Sequence, residues 1–184
     1  MAVCVHLAGD RALFARPEFQ RDLISYDIIT PHAARGILDA IYWRPGMTWV
    51  VDTIRAIAPV RNEQGEEDGR RILSLRDVGY VVGAHFELHA GEPAAEAGRH
   101  AAMFKRAIRT APTVFLGRAG FAGVARAIDP DSVADAAAGG ADIDYGWMLH
   151  GIDFAGDRRR RFFRAVAVAG VVHVPPADSP LVFG

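Results

Sequence analysis

Tyr42, Trp43 and Arg44 close the segment SYDIITPHAARGILDAIYWRP, whose apolar residues Ile37, Leu38 and Ile41 recur at helical spacing. A phenol and a guanidinium at the end of a helix otherwise built for burial are candidates for orienting a proton and holding an anion. Tyr42 falls on the edge of the apolar stripe, level with Arg35 and Asp39. The plain alternative for Tyr42 is core edging, and Trp43 reads as core. In PAAEAGRHAAMFKRAIRTAP, at roughly 100° per residue, Ala97, Ala101, Phe104 and Ile108 share one face. Arg99, Lys105, Arg106 and Arg109 occupy the opposite arc, and His100 sits on the boundary. A histidine packed along one edge and open along the other is placed to act as a general base. A solvated basic face with an inert histidine is the plain alternative.

Three further clusters invite chemistry. The run Arg158, Arg159, Arg160 and Arg161 reads as a hairpin loop, where four cations are either merely solvated or hold a phosphate backbone. HFELH sets His85, Glu87 and His89 on one face of a strand, a donor set that a metal could use. GRAGFAG lacks both the G-x-G-x-x-G spacing and the lysine of a phosphate loop, and no G-x-S-x-G elbow occurs.

The elements that must position these groups follow from local pattern. VCVHL alternates Val3, Val5 and Leu7 against Cys4 and His6, as a half-buried strand does. Thr30 before Pro31 marks a helix start, and Pro45 a stop. TWVVDTIRAIAPV reads as a strand, NEQGEEDG as an acidic loop, and ILSLRDVGYVVGAHFELH as one long strand or two. The second helix lies between Pro93 and Pro112, and VFLG follows as the closing strand. The order β-α-β-β-α-β predicts an α+β, ferredoxin-like (RRM-like) antiparallel sheet with two helices on one face. After an alanine, aspartate and glycine connection, acidic from Asp129 to Asp144, two paired strands form a small C-terminal β-hairpin region. The expected division is residues 1–126 and 127–184.

With 184 residues, 51% hydrophobic and 23% charged, the chain fits an ordinary folded domain. It buries about two-thirds of its unfolded surface without metal or disulfide staples. Cys4 is the single cysteine, no apolar run reaches membrane-spanning length, and MAVCVHLAGD has no signal-peptide pattern. These features point to the cytosol. The net charge of −1 argues at first against nucleic acid, but carboxylates gather in two segments, and 20 of 21 basic residues are arginine.

Taken together, GDRALFARPEF, SYDIITPHAARGILDAIYWRP, LRDVGYVVGAHFEL, RHAAMFKRAIR, FLG and GWMLHGIDF resemble, in order and spacing, the CRISPR-associated endoribonuclease of subtype I-C. This is a RAMP-superfamily protein that cuts the repeat transcript and stays in the Cascade complex. The resemblance runs from about Gly9 to Val174 and implies a ferredoxin-like domain with a small β-rich C-terminal part. Its catalytic set falls on Tyr42, Arg99 and His100. Arg99 stands where the family has lysine, keeping the charge but unable to give up a proton. LGRAGF lacks in register the arginine and glutamate of the family's corresponding stretch, although Arg118 is nearby.

The implied activity is cleavage of repeat precursor RNA without metal or cofactor, leaving a 2′,3′-cyclic phosphate and retaining the 5′ handle. The implied partners are repeat or guide RNA, held by Arg35, Arg44, Arg106, Arg109, Arg118, Arg158, Arg159 and Arg160, and other Cascade subunits, with no membrane. Two rivals stand beside this reading: a catalytically inactive handle-binding subunit, and a metal-dependent enzyme using His85, Glu87 and His89.

Overall fold

A computed structural model describes residues 2–93, 95–110, 113–129, 140–154 and 158–184. Strand β1 (Ala2–Ala12) buries Val3, Val5 and Leu7 and turns Cys4 and His6 to the other face, the period-two alternation of a half-covered sheet. Helix α1 (Pro31–Ile41) starts where Thr30 Oγ1 accepts the Ala33 N–H at 3.1 Å, and Pro31 fills a first-turn position that needs no donor. Its buried stripe is Ala34, Ile37 and Leu38. Strand β3 (Met47–Ala56) pairs antiparallel with β5 (Arg70–Leu88), and a register shift between Val51 and Thr53 leaves Asp52 as a bulge residue. Helix α2 (Glu96–Thr110) buries Ala101, Phe104 and Ile108, and strand β7 (Ala122–Ile128) follows it.

These four strands lie in the order β7-β1-β5-β3, each antiparallel to its neighbour. That is fourth, first, third, second along the chain, consistent with the expected ferredoxin-like pattern. The helices touch each other, α1 packs on β3 and α2 on β7. Between them Trp49 is almost wholly buried, with Phe104 at 4.8 Å and Phe86 edge-on at 5.5 Å between ring centroids.

The closing strand is β7 rather than VFLG. Only Val114–Phe115 is extended there, as β6 on the outer edge of β7. Gly117 then bends the chain back with φ +96°, where an added Cβ would meet the Leu13 carbonyl oxygen. The acidic segment is likewise not a loop. Asn62–Glu67 forms β4, joined to β5 by a two-residue turn, Asp68 and Gly69, both with positive φ. β4 is almost wholly exposed, so it has no apolar alternation to announce it. Ion pairs from Glu63 to Arg11 (2.7 Å) and from Glu67 to Arg118 accompany its ladder with β5. A two-residue strand, β2 (Leu23–Ile24), pairs parallel with β5.

The C-terminal strands β8 (Ile143–Ile152) and β9 (Arg160–Val168) form the expected antiparallel hairpin. Asp144 lies in β8, where its carboxylate takes two hydrogen bonds from Arg164 at 2.5 and 3.1 Å. β10 (Val171–His173) links β9 to β3, continuing one sheet, and the 126/127 division falls inside β7. The alanine, aspartate and glycine connection at 130–139, Pro112, and the Gly156–Asp157 pair before the arginine run lie outside the described residues. Among the described residues no helix is long and apolar enough to cross a membrane.

Candidate active site

Tyr42 is the residue on which α1 ends. Its N–H still bonds the Leu38 carbonyl at 2.9 Å, but its own φ and ψ of −156° and 116° are extended. Its carbonyl accepts the Trp49 indole N–H at 2.8 Å, so the largest fully buried side chain of the core pins the Tyr42 backbone. The extended backbone sends successive side chains to opposite sides. Tyr42 turns inward, 6% exposed, and Trp43 turns outward, 51% exposed. Trp43 is therefore not a core residue, contrary to the sequence expectation. Gly46, with φ +86°, then turns the chain into β3.

The Tyr42 hydroxyl meets Nδ1 of His100 at 2.8 Å and lies 3.6 Å from the Met103 sulfur. His100 comes from the first turns of α2, and the edge of Phe86 packs against its ring at 6.0 Å. A phenol has a single proton, which gives this trio two states. If it donates to Nδ1, the imidazole carries its proton on Nε2. If it donates to the Met103 sulfur, Nδ1–H donates to the phenol oxygen and Nε2 presents a lone pair. His100 is half-buried whereas the phenol is enclosed. The imidazole is therefore the more accessible member of the pair, with the phenol behind it.

The cations distribute unevenly around this pair. Arg44 is exposed, and its guanidinium carbon stands 5.4 Å from the centre of the Tyr42 ring. Arg99, next to His100 in sequence, instead turns along the helix to Glu96 at 3.3 Å, with its side chain 70% exposed. Arg35 pairs with Asp39 at 3.7 Å on α1, and Arg118 pairs with Glu67 on β4. Arg106 and Arg109 are exposed on α2. The arginine run divides: Arg158 and Arg159 precede β9, whereas Arg160 and Arg161 are its first two residues. The sequence placed all four at the tip, and the pairing of Arg160 with Ile152 draws the last two into the ladder.

His85, Glu87 and His89 do not converge as one donor set. The Asp52 bulge sets both carboxylate oxygens 2.9 Å from His85 Nδ1, while Nε2 is 3.6 Å from Glu87. His89 lies past the end of β5 and bonds the Thr48 hydroxyl at 2.7 Å. Among the described residues no group of three or more His, Cys, Asp or Glu side chains is arranged to hold a metal ion.

A phenol and a guanidinium just past the end of α1 thus meet an imidazole from the opening turns of α2. The sequence matches the Cas5d model, described as CRISPR-associated protein, over residues 2–175. The chain belongs to the Cas5d family. Among its Cas5d relatives is the protein named CRISPR pre-crRNA endoribonuclease Cas5d of Mannheimia succiniciproducens, 34% identical over 94% of both chains. The protein of the same name from Thermus thermophilus is 33% identical over 85% of this chain and 75% of its own. In structure, a crystal structure of a CRISPR-associated protein superimposes with a TM-score of 0.86 at 26% identity, over 100% of this chain and 97% of that one. A functionally uncharacterized protein from Streptococcus mutans gives 0.82 at 25% identity, over the same shares of the two chains.

Of the three residues that sequence resemblance singled out in this Cas5d chain, the fold joins Tyr42 to His100 and turns Arg99 toward Glu96. Arg44, read only as an RNA contact, is the cation that stands over the phenol. Met103 was not marked at all, although it follows His100 by three positions and so shares its side of α2.

Proposed function

We propose that this chain is a CRISPR-associated endoribonuclease that cleaves repeat precursor RNA and keeps the 5′ handle of its product within a Cascade-type complex. The observation that carries the reading is the 2.8 Å contact between the Tyr42 hydroxyl and His100 Nδ1 in a chain of the Cas5d family.

In the proposed reaction, His100 Nε2 takes the proton of the 2′-hydroxyl next to the scissile phosphate. The 2′-oxygen attacks phosphorus, the bond to the 5′-oxygen breaks, and that oxygen leaves with a proton from the imidazolium or from water. The products are a 2′,3′-cyclic phosphate and a 5′-hydroxyl. Tyr42 holds the imidazole in the tautomer with a free Nε2, and Arg44 neutralises charge gathering on the phosphorane. One positioned proton transfer contributes about 10²–10⁴-fold, and fixed charge at the phosphorane a comparable factor. Side chains and water supply every proton and charge the proposed reaction uses, so it needs no metal. Arg35, Arg44, Arg106, Arg109, Arg118, Arg158, Arg159 and Arg160 hold the RNA. Arg35 and Arg118 exchange exposed carboxylate partners for phosphate at a cost of about 0–1 kcal/mol each.

The test is incubation of purified protein with repeat RNA in excess EDTA. A cut giving a cyclic phosphate, blocked by a 2′-deoxy substitution at the scissile nucleotide, is the expected result. Uncut RNA at micromolar protein contradicts it. That outcome leaves the second reading, a handle-binding subunit without cleavage, which the engagement of Arg99 by Glu96 favours.

A further inference from the structure

Helix α2 presents a second flank, away from the Tyr42 contact. Lys105 and Arg109 lie about 140° and 180° round the helix from His100, and Arg109 is about 14 Å further along its axis. There α2 and β7 bound an open groove of about 660 Å³, lined by Lys105 and Arg109 from the helix and Arg126 from the strand, over Ile108, Val124 and Ala125. Among the described residues no carboxylate lines it, and it holds no aromatic ring.

Among the described residues the cations of this groove, like Arg44 and Arg106, lack the carboxylate partners that other surface arginines have. Elsewhere the carboxylates are used to neutralise arginines: Arg61 with Asp77, Arg71 with Asp22, Arg76 with Glu63 and Arg164 with Asp144. Lys105, Arg109 and Arg126 have no ion-pair partner among the described residues. Three unneutralised cations border one groove, Lys105 and Arg109 from the helix and Arg126 from the strand at its edge, and in a chain of net charge −1 they form a local field that overall composition conceals.

We infer that this groove is a second RNA site, which takes the phosphodiester backbone of a strand at a distance from the scissile bond. The inference rests on the RNA-processing reading above and extends it. A polyanion answers three free cations at once. An aliphatic floor without rings offers the bases nothing to stack on, so the contact is to the backbone and independent of sequence. Arg126 and Lys105 thereby join the RNA-binding surface, and the groove anchors a flanking stretch of the transcript.

The experiment measures binding of repeat RNA carrying a 2′-deoxy scissile nucleotide across a salt series. It compares wild type, the triple variant Lys105→Gln, Arg109→Gln and Arg126→Gln, and a control triple at ion-paired sites, Arg61→Gln, Arg71→Gln and Arg76→Gln. The expected result is an affinity loss of about 10-fold or more for the groove triple. The slope of log K against log salt should fall by about 2, since each single-strand phosphate contact contributes about 0.7. The control should change far less. Equal losses in both triples, or an unchanged slope in the groove triple, overturn the inference. So does a groove triple that keeps RNA affinity but no longer binds polyglutamate, which would assign the groove to an acidic protein surface. Cleavage of all-ribose RNA by wild type is read separately. Binding without cleavage contradicts the nuclease reading, while the slope still decides the groove.

Discussion

The hydroxyl of Tyr42 and Nδ1 of His100 meet at 2.8 Å although 58 residues separate them in the chain. Two helix ends make that contact: the residue that caps α1, pinned through its carbonyl by Trp49, and the opening turns of α2, seated through Phe104 on the same indole. The pair is thus mounted on the core rather than on a mobile loop. This favours fixed geometry at the imidazole.

Removing only the phenol oxygen tests the orienting role of Tyr42. In Tyr42→Phe the ring still fills its enclosed site, and the lost hydrogen bond costs about 0.5–1.5 kcal/mol of stability. Single-turnover cleavage should fall about 10- to 100-fold through loss of the preferred tautomer, while the melting temperature drops by only a few degrees. A rate equal to wild type would remove Tyr42 from the mechanism.

Arg44 and Arg99 make contrasting claims on the phosphorane. Arg44→Ala is expected to slow saturated cleavage about 10²-fold. Arg99→Ala, which removes a guanidinium already directed at Glu96, should slow it by only a few-fold. The reverse ranking, measured on the same RNA, would return the cation role to Arg99.

Trp49 carries a prediction about folding and activity together. Trp49→Phe keeps an aromatic ring against Phe86 and Phe104 but leaves the buried Tyr42 carbonyl without its donor. The unmade bond costs about 1–3 kcal/mol, and the smaller ring adds to the loss. Denaturant midpoints should fall accordingly, and cleavage by the folded fraction should fall with them because the Tyr42 backbone is released.

Stability should decline on mild acidification, partly through His32. Burial, with Arg35 adding to it, holds the His32 imidazole below its ordinary value. The unfolded chain therefore binds the proton more readily. The cost begins as pH falls through the unfolded value of about 6.5 and stops growing below the lower folded value. Melting curves between pH 8 and pH 5 should show a shallower decline for His32→Gln than for wild type. Parallel curves would show that other groups set the dependence.

What the sequence disclosed was mostly local. Thr30 before Pro31 fixes the start of α1, and the alternation of Val3, Val5 and Leu7 announces β1, because capping and half-burial leave marks within a few residues. β4 left no such mark, since it is exposed and held by pairing with β5. The boundary positions of Tyr42 and His100 were readable from helical spacing, and family resemblance joined them. Three departures depended on geometry that spacing does not carry. Trp43 faces outward because Tyr42 is extended rather than helical. Asp52 reaches His85 because a bulge shifts the register, and Arg118 is drawn to Glu67 because β4 folds back on β5.

The most direct test of the central claim compares single-turnover cleavage of repeat RNA, in excess EDTA, by wild type and by His100→Ala. The expected result is a cyclic-phosphate product from wild type and a rate at least about 10²-fold lower from the variant, with unchanged affinity for uncleavable RNA. Equal cleavage by the two proteins would contradict it, because the imidazole oriented by Tyr42 would then have no part in the reaction.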